Sequence, residues 1–282
     1  MIKNKTDRKN VFILGISSDI GRALAERYLR DGYVVTGTYR HKDSVKTLLG
    51  VRDISLFNCD VKSKSSIREC LRKYKRLSRP WDIFISGVGS MEPIGRFFEC
   101  DFNKWEESIV VNSISQLRFL HEIYHFRRRE KICNVVFFAG GGTNNPFTNY
   151  SAYCAAKILL IKSCELLDDE NKDLNVFIIG PGWVRTKIHA QTLKSRLGAG
   201  TNYERTREFL KSGDPGTDYQ DIYDCINWGI RQGGEVSGGR NISVVHDPWR
   251  DGGMSLARKL RADTHKFKLR RFKNSDKQKG LQ

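Results

Sequence analysis

Tyr153 and Lys157 stand four residues apart at the end of the stretch FFAGGGTNNPFTNYSAYCAAK, Phe137 to Lys157. On a helix this spacing puts both side chains on one face, one turn apart. An ammonium beside a phenol favours the phenolate and lowers the tyrosine pKa. Tyr153 then becomes a workable general acid or base toward a substrate oxygen. Tyr150 competes for the role, but its partner one turn on is Cys154, which cannot do this. The spacing alone is equally well explained by a pair on a helix surface, so the elements around it must decide.

Those elements alternate. VFIL, ending at Leu14 and followed by Gly15, reads as a buried parallel strand entering a tight turn. Asp19 to Arg30 carries Ile20, Ala23, Leu24, Arg27 and Tyr28 at helical spacing, and Asp31-Gly32 stops it. Further strands are expected at Tyr33–Tyr39, Ile54–Cys59, Trp81–Ser86, Ile132–Phe138, Leu174–Ile179 and Asn241–Val245. Helices are expected at Ser44–Leu49, Ser63–Leu77, Asn103–Arg129, Ser151–Leu167 and Thr217–Arg231. Such alternation means an α/β fold, a doubly wound parallel sheet with helices on both faces. No Pro- or Ser-rich linker interrupts it, so residues 1–250 read as a single domain, with a helical insertion near 185–216 covering the site. Residues 251–282 read as a basic tail, holding ten Lys/Arg and three Asp, with no clear core-facing period after Pro248.

The chain has 282 residues, 39% hydrophobic and 11% aromatic, which excludes a disordered polymer. No apolar run approaches the roughly 20 residues of a membrane span. The first apolar stretch, Val11 to Leu14, is too short for a secretory signal, so a cytoplasmic location is expected. Seven cysteines without a CxxC pair fit reduced thiols and no zinc ribbon. The net charge of +17 favours an anionic small-molecule substrate. Without a zinc finger, RNA-recognition signature or basic zipper it does not argue for nucleic acid. His121-Glu122-Ile123-Tyr124-His125 fits the H-E-x-x-H zinc pattern. It lies inside an expected dinucleotide fold and lacks the longer continuation, so no metal site is expected.

LGISSDIG, Leu14 to Gly21, joins the first strand to the first helix. A helix N-terminus there offers free N–H groups and a positive dipole end to an anion. Gly15 suits the tight turn and Gly21 the close approach of helix to strand. This turn resembles the glycine motif of the short-chain dehydrogenase/reductase family, single-domain Rossmann type, with Asp19 where the middle glycine is usual. Asp60-Val61 resembles the pair beside the adenine. Ser86-Gly87-Val88-Gly89 stands where Asn-Asn-Ala-Gly is usual. Asn112 matches the helix asparagine, Tyr153 and Lys157 the Tyr-x-x-x-Lys signature, and Pro181-Gly182 with Thr186 the turn and threonine at the nicotinamide amide. These matches run in order from about residue 10 to 246.

The resemblance implies catalysis by Tyr153, Lys157 and Asn112. It also implies cofactor binding by Gly15, Ser17, Ser18, Asp19, Ile20, Gly21, Arg40, Asp60, Val61, Gly87, Tyr153, Lys157, Pro181, Gly182, Val184 and Thr186. The end of the second strand reads Thr38-Tyr39-Arg40, where an acidic residue would hold the 2′-hydroxyl of NAD. Arg40 instead suits a 2′-phosphate, so NADP(H) is preferred, with NAD(H) the alternative. The family's carbonyl-orienting serine falls at Ala139 or Gly140, so that hydroxyl is absent. Thr143, Asn144 or Ser151 are the candidate replacements, because the glycines let the loop fold inward.

The expected function is an NADP(H)-dependent oxidoreductase acting on a carbonyl or hydroxyl carbon. Gly180-Pro181-Gly182-Trp183-Val184 and Gly239 to Ser243 resemble members linked to surface-polysaccharide sugar metabolism, which implies a sugar phosphate or nucleotide-sugar substrate. Two alternatives stay open: a catalytically impaired NAD(P)-binding sensor, and an NAD-dependent sugar epimerase or dehydratase. The family resemblance also implies a homodimer or homotetramer through the helices starting near Asn103 and Ser151.

Overall fold

In the computed structural model, residues 8–271 are described. Seven strands form one parallel sheet: β1 (Asn10–Leu14), β2 (Val34–Tyr39), β3 (Ile54–Asn58), β4 (Ile83–Ser86), β5 (Cys133–Phe138), β6 (Leu174–Gly180) and β7 (Asn241–Ser243), in the order β3-β2-β1-β4-β5-β6-β7. The central position of β1 explains why all of NVFIL is apolar or buried. Successive side chains of a strand point to opposite faces: Val11 and Ile13 join one core layer, Phe12 and Leu14 the other. The strand order reverses direction between β1 and β4, the topological switch point where α/β sheets open a crevice at the carboxyl ends of their strands.

The helices are α1 (Asp19–Arg30), α2 (Lys64–Lys75), α3 (Phe102–Ile109), α4 (Ser115–Ile123), α5 (Ser151–Glu170), α6 (His189–Lys194), α7 (Arg196–Ala199), α8 (Thr201–Lys211), α9 (Tyr219–Gln232), α10 (Gly234–Ser237) and α11 (Met254–Ala262). Helix α1 begins at Ser18, whose hydroxyl accepts from the Gly21 N–H at 3.0 Å. This is the N-cap role that suits serine. The expected helix at Ser44–Leu49 is a 3-10 segment, Lys42–Leu48.

The structure departs from the sequence expectation in two informative places. The expected continuous helix Asn103–Arg129 is interrupted by a π-turn, Val110–Ile114, between α3 and α4, and ends in a 3-10 turn at Phe126. The Gln116 side-chain amide donates to the carbonyls of Val111, Asn112 and Val88, satisfying groups the wider turn would leave unpaired. The stretch after Pro248 also contains a core element. Leu256, Ala257 and Leu260 of α11 are buried in the core layer that holds Trp228 and Trp249. The period was hidden because only these three positions of a short helix face inward. The remainder of the expected basic tail, 272–282, lies outside the described residues.

Candidate active site

The turn after β1 is built for close approach. Gly15 has φ +79°, and a β-carbon there would stand 3.0 Å from Val88 Cγ2. One on Gly21 would stand 2.6 Å from the Gly15 carbonyl oxygen, and one on Gly87 2.8 Å from Ser18 Oγ. The Gly15 N–H donates to Thr38 Oγ1 at 2.9 Å, which fixes the turn against the end of β2. Beyond it a cleft of about 790 Å³ opens over the ends of β1 to β4. Of the residues nominated from sequence, Gly15, Ser17, Ser18, Arg40, Asp60, Val61 and Gly87 line it. Ile20 packs into the core beneath, and Asp19 turns its carboxylate toward Lys187.

At one end of the cleft Arg40 is exposed and donates from Nε to His41 Nε2 at 3.0 Å. Among the described residues it forms no ion pair, so its charge is free for an anion. Asp60 accepts the Lys62 N–H at 3.0 Å, while its own N–H donates to Ser66 Oγ.

Asn112 sits in the π-turn, fully buried. Its amide donates to the carbonyls of Ser90 and Ser108 at 2.8 and 3.0 Å, and its Oδ1 accepts the Ser90 N–H at 2.9 Å. It thereby fixes the loop after β4 that forms a cleft wall. Tyr153 and Lys157 share one face of α5, as the spacing required, and both are buried. Lys157 Nζ donates to the Phe138 carbonyl at 2.8 Å and lies 5.6 Å from the centroid of the Tyr153 ring.

The expectation that Lys157 lowers the Tyr153 pKa is corrected here. Burial raises Tyr153 well above its ordinary value, with Cys154 adding to the rise, and burial lowers Lys157 to about 8. In a site this dry, desolvation outweighs the attraction between the pair. Neither side chain is among the residues lining the cleft. Pro181, Gly182, Val184 and Thr186 also lie outside that lining. Gly182 takes φ +76° in the turn after β6, the Val184 carbonyl accepts from the His189 ring N–H at 2.9 Å, and the Thr186 carbonyl accepts the His189 N–H.

The nominated donors Thr143, Asn144 and Ser151 each keep donor capacity that no hydrogen bond among the described residues consumes. Ser151 Oγ accepts from Trp105 Nε1 at 3.0 Å, and Thr143 and Asn144 make no hydrogen bond among the described residues. A β-carbon on Gly140 would overlap the Tyr153 hydroxyl. The space of an orienting side chain is therefore filled by the tyrosine itself. Tyr150 is out of contention, stacked on Phe147 at 4.1 Å with its hydroxyl paired to Thr192 at 2.9 Å.

Sequence reasoning placed a cover near 185–216 but did not single out the residues in it that reach the cleft. Lys187, Gln191 and Ser195 line the cleft from the segment after β6. Gln191 accepts the Met91 N–H at 2.7 Å and donates to Ser90 Oγ at 3.1 Å, while Ser195 donates to the Ile94 carbonyl at 3.3 Å. No motif marks these individual positions; they fall inside the 185–216 segment expected to cover the site. Among the described residues no group of three or more His, Cys, Asp or Glu comes together to hold a metal, and His121 and His125 are exposed. No helix among the described residues is long and apolar enough to cross a membrane.

These residues fit a nicotinamide dinucleotide. The glycines let the turn pack so closely that β-carbons would strike neighbouring protein atoms, the α1 N-terminus faces the cleft they border, and Arg40 lines that cleft at the end of β2.

The comparisons agree. The short chain dehydrogenase model matches residues 9–196. The chain is 25% identical over 190 residues to a 3-oxoacyl-(acyl-carrier-protein) reductase of Buchnera aphidicola, covering 64% of this chain and 76% of that protein. It is 23% identical over 194 residues to a Mycobacterium tuberculosis reductase of the same description, covering 68% and 75%. Among solved structures, a short-chain dehydrogenase/reductase of Saccharomyces cerevisiae superposes with TM-score 0.74 at 20% identity, over 85% of this chain and 97% of that one. An actinorhodin polyketide ketoreductase with NADPH gives TM-score 0.73 at 19% identity, with the same coverage. With a family model matching more than half its length, the chain belongs to the short-chain dehydrogenase/reductase family of oxidoreductases.

Proposed function

We propose that this protein is an NADP(H)-dependent reductase or dehydrogenase acting at a carbonyl or hydroxyl carbon of an anionic small molecule. The observation that carries the cofactor choice is Arg40: it lines the cleft at the end of β2, where an acidic residue would select NAD, and has no carboxylate partner among the described residues. Gly15, Ser17, Ser18, Gly87, Asp60 and Val61 would hold the dinucleotide, with Pro181, Gly182, Val184 and Thr186 beyond them toward the nicotinamide. When bound, the nicotinamide supplies or accepts the hydride. Tyr153 transfers the proton at the substrate oxygen, and Lys157 adjusts it. Asn112 holds the Ser90 loop in place.

A ketone or secondary alcohol is the substrate class best supported, since the curated relatives named above are reductases of 3-oxoacyl groups. The basic charge of the chain favours an anionic substrate. These relatives give the surface-polysaccharide assignment no support. A homodimer or homotetramer fits α4 and α5, whose flanks expose Ile114 and Leu166.

A second reading, a dinucleotide-binding protein with impaired turnover, has one observation in its favour. Tyr153 is withdrawn toward Gly140 and does not line the cleft. Loss of one transition-state hydrogen bond typically costs roughly 3 kcal/mol, about a hundredfold in rate.

The test is NADPH oxidation against a panel of ketones, including phosphorylated keto-sugars and 3-oxoacyl thioesters, with NADH in parallel and Tyr153→Phe as control. Turnover lost in the variant supports the reductase. NADPH binding without turnover on any member supports the second reading.

A further inference from the structure

The family motif has a glycine where this chain has Asp19, at the first position of α1. A carboxylate there stands at the helix N-terminus that should receive the cofactor diphosphate, and like charges oppose binding. In the structure Asp19 faces the covering segment. Its Oδ2 accepts the backbone N–H of Lys187 at 2.7 Å, and its Oδ1 lies 3.8 Å from Lys187 Nζ. Lys187 Nζ donates to the Ser17 carbonyl at 2.6 Å and lines the cleft beside Gly15, Ser17 and Ser18. Asp19 itself does not line it. The next cation on α1, Arg22, is committed to the Ser44 carbonyl at 2.5 Å.

We infer that Lys187 is a ligand for the cofactor diphosphate, delivered by the covering segment and held over the glycine turn by Asp19. This rests on the cleft holding a nicotinamide dinucleotide. Asp19 fixes the backbone at Lys187, so the ammonium reaches the turn from the cover while the α1 N–H groups reach it from below. The ammonium has a neutral carbonyl as its nearest partner, which an anion replaces readily. The two charges of the pair cancel, so the negative residue in the motif does not repel the diphosphate. Binding also ties the cover to the turn, because Lys187 and Gln191 belong to the same short stretch of chain.

The experiment is a fluorescence titration of NADPH and of NADH against the wild-type chain, Lys187→Met, Asp19→Gly and the double variant, with thermal melts to verify folding. Both dinucleotides carry the diphosphate, so Lys187→Met should weaken both by the same factor, about tenfold for one charge-assisted contact. Asp19→Gly in the Lys187→Met background should recover part of that loss, because the unpaired carboxylate no longer repels the diphosphate. Unchanged binding by Lys187→Met overturns the inference. Loss confined to NADPH also overturns it, placing Lys187 on the 2′-phosphate. No recovery in the double variant overturns the part assigned to Asp19. A wild-type chain that binds neither dinucleotide removes the cofactor reading itself and the inference with it.

Discussion

The hydroxyl of Tyr153 lies in the space that a β-carbon on Gly140 would occupy. The pair is thirteen residues apart in sequence, yet the loop after β5 folds back so that the backbone of one supports the ring of the other. The glycine is therefore more than a missing serine; it is what allows the tyrosine its observed position. Gly140→Ala should overpack the site and cost about 1–3 kcal/mol in urea unfolding. In a Tyr153→Ala background the same substitution should be nearly neutral, because the ring is gone. An equal penalty in both backgrounds would show that Tyr153 does not hold that space.

Lys157 should impose a pH dependence on stability. Burial lowers its pKa to about 8 from 10.5. Between these values the unfolded chain binds more protons than the folded one, so the Lys157 contribution rises with pH across that window. It is fully present above about 10.5 and is lost as pH falls through about 8. Lys157→Met should remove this slope. Stability of the variant relative to wild type should then be greater at pH 7.5 than at pH 10.5, by up to about 3 kcal/mol. Parallel curves across the window would mean that Lys157 titrates normally in the folded protein.

Arg40 should discriminate between the two nicotinamide cofactors. A charge-assisted hydrogen bond is worth roughly 1.5–3 kcal/mol, which is tenfold or more in affinity. Arg40→Ala should therefore weaken NADPH by that factor and leave NADH unchanged. Arg40→Asp should invert the preference, since a carboxylate there suits a 2′-hydroxyl and repels a phosphate. Competition binding with both cofactors decides this; equal loss for both would move Arg40 off the 2′-phosphate.

Where the sequence was readable, a local rule and the tertiary fold asked for the same thing. VFIL before Gly15 had to be a buried strand and a turn, and Tyr153 and Lys157 had to share a helix face; both are seen. The π-turn at Asn112 was hidden because its cause, the Gln116 amide reaching back to the carbonyls of Val111 and Asn112, is a side-chain contact without a periodic signature. The shift of Tyr153 was hidden for another reason. Spacing shows that a lysine is near a phenol, but only burial decides whether attraction or desolvation sets the pKa. Lys187 and Gln191 lie far along the chain from the turn and the loop they touch, so no local pattern could pair them.

The helix α11 makes the last prediction. Arg240 is 2% exposed and sits before β7, yet it has no ion-pair partner among the described residues. Its guanidinium donates instead to backbone carbonyls on both sides: Val236 at 2.8 Å in α10, Leu260 at 2.7 Å in α11, and Asp263 and Lys266 at 3.2 and 3.1 Å beyond it. A planar, multi-donor cation is suited to such a junction, and a lysine would satisfy fewer of these carbonyls. Leu260 and Ala257 fill the apolar side of the same junction. Leu260→Ala should cost about 2–5 kcal/mol, the usual range for a fully buried leucine. Arg240→Lys should destabilise as well, by leaving buried carbonyls unpaired, at about 1–3 kcal/mol for each such group. Truncation after Gly253 should remove both contributions together and lower the melting temperature more than either substitution. If truncation leaves the unfolding midpoint unchanged, α11 is an appendage and the fold is complete before it.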